Sequence, residues 1–443
     1  MMSLEKEILE IISPSASEKK AIEDCAQNLL QEIKEDEDVL ESKAEVMLVG
    51  SVSKGTYLKD PDIDVFLLFP PSLPKKELQK LGLKIGKKYL PDHEERYAEH
   101  PYVHGIRNGY EVDIVPCYKL DSAKELRCAV DRTPFHTRYI KTNMTEGMSN
   151  QVRLLKQFAK GLGVYGAEAK VEGMSGYLIE LLILRYGSFK NVLSAASAWN
   201  FGQKIFSNGQ KEFPEDALVV YDPVDDERNV ASALSTQSFS KFVYAAREYL
   251  TNPSRQFFFP QPRTTCSLEE IKKITSQRES HLVVIELKRP PMIDDNLYPQ
   301  VRKTLEGIQT ILQKEQLEVI DAAYAVEEKE IKFAVEIDRS DLPATVVHFG
   351  PPAWSENAQA FLDKWREKAT QPYLEKGIWK VVLQRADRDL TSYLNKNLKS
   401  AALGKDFRTL NGLKIYCGAA ALCENNMAVL SAMFDKRMNW EVV

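Results

Sequence analysis

The spacing of apolar positions divides the chain into three stretches of different character. In the first, helical spacing predicts a helix around 21–33. A strand over 45–49 follows and stops at Gly50-Ser51, where a loop is expected. β-Branched and aromatic residues predict two more strands, at 63–69 and 110–115, the second ending at Pro116. A Lys-rich helix over 75–89 lies between them.

From about residue 150 the spacing turns helical. Val152, Leu155, Phe158, Ala159 and Leu162 share one face, with Gly161 and Gly163 read as stops. A helix over 175–187 opens on a Ser cap and closes on Gly, and a third over 237–250 places Phe239, Phe242, Val243, Ala246 and Leu250 together. The middle third therefore reads as helical. The Pro- and Phe-rich run at 252–263 marks a boundary. Beyond it, strand 282–287, helix 297–312 and strands 319–325 and 331–337 predict half of a split β-α-β fold of ferredoxin or RNA-recognition type. Helices are expected at 358–368 and 425–434, and the final hundred residues carry the weakest pattern.

Length and composition narrow the class. At 443 residues the chain exceeds one hydrophobic core, so several domains are expected. Its 44% hydrophobic and 28% charged residues fit an ordinary globular protein, with no apolar run long enough to span a bilayer. The first residues lack a signal-peptide pattern, so the cytoplasm is the expected location and no membrane partner is expected. Six scattered cysteines without a CxxC pair argue against a disulfide framework or zinc site and predict reduced, mostly buried thiols. A net charge of -5 leaves any nucleic-acid binding to local basic patches.

The chemistry is carried by acids in apolar surroundings. Asp62 and Asp64 stand two apart on a strand, so both leave one face while Ile63 enters the core. Asp113, among Val112, Ile114 and Val115, is costly to ionise unless paired, coordinated or at an exposed strand end. Three oxygen donors on neighbouring strands suit Mg²⁺, and two such ions favour phosphoryl transfer. Gly50 permits close backbone approach to a triphosphate, to which Ser51 can donate. Each element alone also fits a solvated turn or an edge-strand charge. Together, a Gly-Ser loop, a DxD opening a strand eleven residues after Ser51, and a later Asp resemble the DNA polymerase beta superfamily.

Longer stretches carry a narrower resemblance. GSVSKGTYLKDPDIDVFLLF, RYAEHPYVHG, EVDIVPCYKL, AVDRTPFHTRYI, VRLLKQFAKGLGVYGAE, DPVDDERNVASALS and DDNLYPQVRK, then faintly HFGPPAW, together resemble the archaeal-type (class I) CCA-adding enzymes, tRNA nucleotidyltransferases. The resemblance implies a multidomain α+β architecture. It has a polymerase-beta-type catalytic head (1–145), a helical neck that selects the nucleotide (146–260), and a ferredoxin-like α+β body with a helical tail that binds tRNA (261–443). It implies template-independent addition of C, C and A to the 3′ end of tRNA from CTP and ATP. The tRNA is gripped by its acceptor and T arms, and a homodimer is left open.

By the same resemblance, Asp62, Asp64 and Asp113 are the catalytic acids and hold Mg²⁺, while Gly50, Ser51, Lys54, His136, Lys156 and Tyr165 meet the nucleotide. The family pattern has Glu where Asp62 stands and Arg where Lys54 stands. Asp62 still fits the wider DxD, whereas Lys54 lacks the bidentate fork of Arg. Read locally, Thr133-Pro134 is an N-cap with Pro at N1, presenting amides and His136 toward phosphate. Arg153, Lys156 and Lys160 form a basic stripe of the kind that is usually solvated. Arg228 reads locally as paired with Asp225 or Asp226, and by resemblance as a reader of cytosine and adenine. Asp294, Asp295, Asn296 and Tyr298 read as a helix cap, and Arg302 and Lys303 as RNA phosphate contacts. The rival readings are another polymerase-beta-type transferase, such as a poly(A) polymerase, and a tRNA-binding module without catalysis.

Overall fold

The computed structural model describes residues 3–97, 100–145, 147–206, 209–368 and 371–442; Ala98 and Glu99 of RYAEHPYVHG lie outside the described residues. The chain divides into two compact units, Met1–Pro262 with Met438–Val443, and Arg263–Arg437. The closing residues thus belong with the first unit although they follow the second in sequence.

In the first unit, β1 (Glu45–Leu48), β2 (Ile63–Phe69), β3 (His93–Tyr97), β4 (Pro101–Arg107) and β5 (Tyr110–Tyr118) form a sheet ordered β1-β2-β5-β4-β3. Strands β2 and β5 pair in parallel and the other neighbours are antiparallel. Alternation assigns the two faces. Ile63, Val65, Leu67, Val112 and Ile114 share a core with Leu78 and Ile85 of the helix Lys75–Tyr89. On the other face Phe66, Leu68, Val115 and Cys117 form a second cluster. Asp64 and Asp113 have the parity of this second face.

Two departures from the sequence reading shape the sheet. Strand β5 continues through Pro116, because its registered pairing with β4 stops at Ile114 and the missing N–H breaks no bond on that side. The hairpin β3-β4 was not predicted: every residue of β3, HEERY, is exposed, so it offers no apolar alternation.

The rest of the first unit has its own core, built on Val152, Leu155, Phe158, Leu178, Leu182, Phe242 and Tyr249, joined by Ile8 and Ile12 of the N-terminal helix Leu4–Ile12. It is not purely helical. Strands β6 (Gln203–Ile205), β7 (Leu218–Asp222) and β8 (Asp225–Asn229) form a small sheet that the polar sequence of β8 concealed. The helix Met148–Leu162 runs through Gly161 and stops at Gly163 (φ +73). A Cβ at Gly161 would lie 2.1 Å from the Phe257 carbonyl, so that glycine allows close packing and is not a stop. In the helix Thr236–Thr251, Tyr249 enters the core where Leu250 was expected, and Leu250 is exposed.

In the second unit, β9 (His281–Lys288), β10 (Val319–Val326), β11 (Glu330–Ile337) and β15 (Lys414–Cys417) form an antiparallel sheet ordered β10-β11-β9-β15. The helix Asp294–Lys314 joins β9 to β10, giving the expected split β-α-β order. Its N-cap is Ile293, and Asp294 pairs with Arg289 rather than capping. Strands β12 (Thr345–Pro352), β13 (Tyr373–Glu375) and β14 (Ile378–Gln384) form a separate sheet within the stretch that was least readable. All six cysteines are free, but only Cys25 and Cys117 are buried, fewer than expected. Among the described residues, no helix is long and apolar enough to cross a membrane.

Candidate active site

The parallel register of β2 and β5 sets Asp64 directly beside Asp113. Asp62 stands just before the first residue of β2 rather than on the strand, exposed and close enough to Asp113 to feel its charge. Asp113 accepts from His104 Nδ1 at 2.7 Å, and β4 holds that histidine at the facing register position. In the sequence little marks His104, in RYAEHPYVHG, beyond a His within a strand-like run.

Burial, with repulsion from Asp113 and Asp62, pushes the Asp64 carboxyl up to about 7. Burial also raises Asp113, partly offset by His104, and raises Asp62 together with the charges of Glu111 and Asp113. Such an excess of negative charge is what a divalent cation relieves. Among the described residues no three His, Cys, Asp or Glu side chains close into a metal cage. The acids fit an open site instead, of the kind in which Mg²⁺ keeps waters and takes phosphate oxygens.

The Gly-Ser segment is a helical turn, Gly50–Lys54, rather than a loop. Val49 N–H donates to the Asp64 carbonyl at 2.9 Å, fastening the turn to β2. Gly50 has φ +65, and a Cβ there would sit 1.8 Å from Asp64 Oδ2. A cavity of about 380 Å³ opens beside them, lined in part by Gly50, Asp64, Phe66, Tyr102 and Thr133.

A buried polar cluster adjoins the acids. Glu180, fully buried in the apolar helix Gly176–Tyr186, accepts from Lys54 Nζ and Thr56 Oγ1, each at 2.6 Å. Lys156 Nζ donates to the Thr56 carbonyl at 3.1 Å, and Arg153 to the carbonyls of Tyr57 and Gly55. The expected solvated stripe is therefore corrected: Arg153 is 5% and Lys156 3% exposed, and only Lys160 faces solvent. Burial, reinforced by Lys54 and Arg153, lowers Lys156 to about 8 against the pull of Glu180. The Tyr165 hydroxyl is pushed up to about 12 by burial and by Glu180 and Asp62. Glu180 was missed, although a charge in GYLIELLILRY is itself a signal.

A second cluster gathers around Asp222, another residue missed. Its Oδ2 accepts from Arg228 Nη1 at 2.9 Å and His136 Nε2 at 2.8 Å; its Oδ1 accepts from the Tyr177 hydroxyl at 3.0 Å and Val224 N–H at 3.1 Å. His136 stacks on Tyr177 with ring centres 3.8 Å apart. Arg228 is thus paired with neither Asp225 nor Asp226; Asp225 is held by Arg132 at 2.8 Å. The N-cap of the helix Thr133–Asn143 is Arg132, with no side-chain cap, so Thr133 is its first residue and not the cap. Burial opposes the charged form of Asp222, but its hydrogen bonds outweigh that and hold it below the usual carboxylate range. Burial keeps His136 below its ordinary value despite Asp222. Because the Asp222 carboxylate accepts, the ring donates through Nε2.

The expected site residues therefore fall into three groups in the first unit: the acids with Gly50 and Ser51, the Lys54–Lys156–Tyr165 group, and the His136–Arg228 pair. Arg302, half-buried, and Lys303, exposed, lie on the helix Asp294–Lys314 of the second unit.

Three family models match the chain: a nucleotidyltransferase domain over residues 26–136, the second domain of tRNA nucleotidyltransferase over 150–259, and the C-terminal domain of CCA-adding enzyme over 278–418. Similar proteins include the CCA-adding enzyme of Methanothermobacter thermautotrophicus, 41% identical over 87% of this chain and 86% of that one. Those of Archaeoglobus fulgidus (37%, covering 94% and 96%) and Haloarcula marismortui (34%, covering 96% of each) are similar over nearly their whole length.

Proposed function

Because this chain belongs to the archaeal CCA-adding enzymes, which add C, C and A to the 3′ end of tRNA from CTP and ATP, we propose that its acid row is the catalytic centre. The observation that carries this is the register setting Asp64 beside Asp113, with Gly50 against the Asp64 carboxylate.

Asp62, Asp64 and Asp113 are assigned to hold Mg²⁺, which when bound lowers the barrier to attack of the tRNA 3′-hydroxyl on the nucleotide α-phosphate and stabilises departing pyrophosphate. His104 orients Asp113 and keeps one of its oxygens engaged. Ser51 is assigned to the triphosphate, with Lys54 and Lys156 supplying the positive charge. The buried carboxylate of Glu180 is the counter-charge to Lys54. Tyr165 stays protonated beside it as a donor to the nucleotide, His136 is assigned with it to the phosphates and sugar, and Arg228 to the base. A head (1–145), a neck (146–260), and a body and tail (261–443) bearing Arg302 and Lys303 toward the tRNA arms complete the proposal. A cytoplasmic location belongs to the same proposal.

Incorporation of labelled CTP and ATP into tRNAs ending before CCA, after C and after CC tests this directly. Three ordered additions that stop are expected of the unmodified enzyme with Mg²⁺, against a homopolymer tail for a poly(A)-type enzyme and no incorporation for a mere binding module. Asp64→Ala should abolish incorporation and leave tRNA binding within about twofold. Retained incorporation would remove the acid row from the chemistry.

A further inference from the structure

We infer that Glu180 is a positioning residue for the triphosphate: its buried carboxylate holds Lys54 directly and Lys156 through the Thr56 hydroxyl, fixing both ammonium groups for a polyphosphate. The inference rests on the reading of Lys54 and Lys156 as triphosphate contacts, and it goes beyond that reading in naming what keeps them in place.

Glu180 sits among Leu178, Ile179, Leu181, Leu182 and Ile183, all buried, where a charge is costly unless it is fully engaged. Both of its oxygens are: Oε2 accepts from Lys54 Nζ and Oε1 from Thr56 Oγ1. Thr56 spends its only hydroxyl proton on Glu180, so its oxygen is left to accept, and Lys156 Nζ lies 3.5 Å from it and 3.1 Å from the Thr56 carbonyl. Lys54 uses one of its three donors here and Lys156 two, so each keeps a donor for phosphate. Arg153 donates to the Gly55 and Tyr57 carbonyls, pinning the chain on either side of Thr56. Gly176, one turn before Glu180 on the same helix face, brings the site together: a Cβ there would lie 3.4 Å from the Tyr165 hydroxyl and 3.7 Å from Lys156 Nζ.

The charges around this segment are unequal. Facing Lys156 are Lys54, Arg153 and Lys160 on the positive side, Glu180 and Asp64 on the negative, and Tyr165. Asp64 is assigned to Mg²⁺, so Glu180 is the carboxylate given over to the lysines. Burial opposes the charge of Lys156, and Glu180 pulls the other way. Without that carboxylate, two ammonium groups close together in a dry setting relieve their repulsion by losing a proton or turning toward solvent. Either response withdraws positive charge from the phosphates. A lysine here also lacks the planar fork that orients an arginine, so its aim depends on the partner that holds it.

Glu180→Gln keeps the shape and removes the charge. Its KM for CTP and ATP and the inhibition constant of added pyrophosphate should rise together, at least roughly tenfold. Pyrophosphate carries neither base nor sugar, so it reports on the cations alone. The KM for tRNA and the kcat at saturating nucleotide should each stay within about threefold, a split that loss of folded enzyme does not produce. Should this variant fold poorly, Thr56→Val cuts the link to Lys156 while keeping the Glu180–Lys54 pair, and should raise the same constants by a smaller factor. Unchanged constants, tighter pyrophosphate binding, or a loss confined to kcat in the folded variants overturns the inference. Lys54→Gln combined with Glu180→Gln removes both partners and leaves neither charge of the pair buried alone. If this double variant keeps wild-type KM and pyrophosphate inhibition, the triphosphate role of Lys54 itself fails. If it is weakened while Glu180→Gln alone is not, only the role of Glu180 fails.

Discussion

Acids in apolar strands were legible because an ionised group there is costly without a partner, and that cost makes Asp64 and Asp113 conspicuous in the sequence. Glu180 carries the same signal inside an apolar helix. Asp222 carries none: in DPVDDE nothing tells which acid the fold buries, since burial is decided by the distant His136 and Tyr177. Lys156 looked like a solvated lysine for the same reason, and its burial has a measurable consequence. Its ordinary value of 10.5 is lowered to about 8, chiefly by burial, so it loses its proton well inside the accessible pH range. Below pH 8 the ammonium is present to meet a triphosphate; above it the charge is lost. The KM for CTP and ATP should accordingly rise above pH 8, by up to about tenfold per pH unit. Lys156→Arg, whose charge persists, should flatten that limb. Steady-state KM values between pH 7 and 9.5 check it, and a flat wild-type profile would contradict the assignment. The stability sign is the reverse: between 8 and 10.5 the unfolded chain holds a proton that the folded chain has released, so this group makes stability rise with pH across that window.

At the scale of elements, the strands β2 and β5 and the helix Lys75–Tyr89 could be read from apolar pattern, but the parallel register between two strands so far apart in sequence could not. Polar elements, β3 and β8, escaped because exposed strands show no alternation. The turn Gly50–Lys54 is where an element controls chemistry. Gly50 supplies a left-handed backbone, which costs an L residue roughly 1–2 kcal/mol. It also leaves room that a methyl group would take from the Asp64 carboxylate, 1.8 Å from the built Cβ. Gly50→Ala should therefore displace an acid rather than merely loosen a turn. The expected result is a kcat at least about tenfold lower, with tRNA affinity little changed, since small misplacements of catalytic groups carry large costs. Single-turnover incorporation measures it, and a normal rate would show that the turn does not hold Asp64 in place.

For the whole molecule, the boundary near Pro262 was visible in sequence as a Pro- and Phe-rich run, whereas the membership of the last residues was not. In KRMNWEVV the tryptophan is the strongest sign of burial, and nothing names its partner. The fold sends it to the first unit: Trp440 is 6% exposed and stacks on Phe257 with ring centres 5.3 Å apart. Asn439 donates to the Gly161 carbonyl at 3.2 Å, beside the close packing of Gly161 on the Phe257 carbonyl. The residues that follow the second unit thus seal the core holding the helix Met148–Leu162, on which Lys156 stands. Trp440→Ala should cost roughly 3–5 kcal/mol, the usual range for emptying a buried aromatic site. If the two units unfold as separate transitions, calorimetry should show the loss in the transition belonging to the first unit alone, with the other unmoved. Because the vacated space borders the helix carrying Lys156, the KM for CTP and ATP should rise in the folded variant while the acids, on another core, keep their geometry. A loss confined to the transition of the second unit would mean that the terminal residues stabilise the wrong half of the chain for this account.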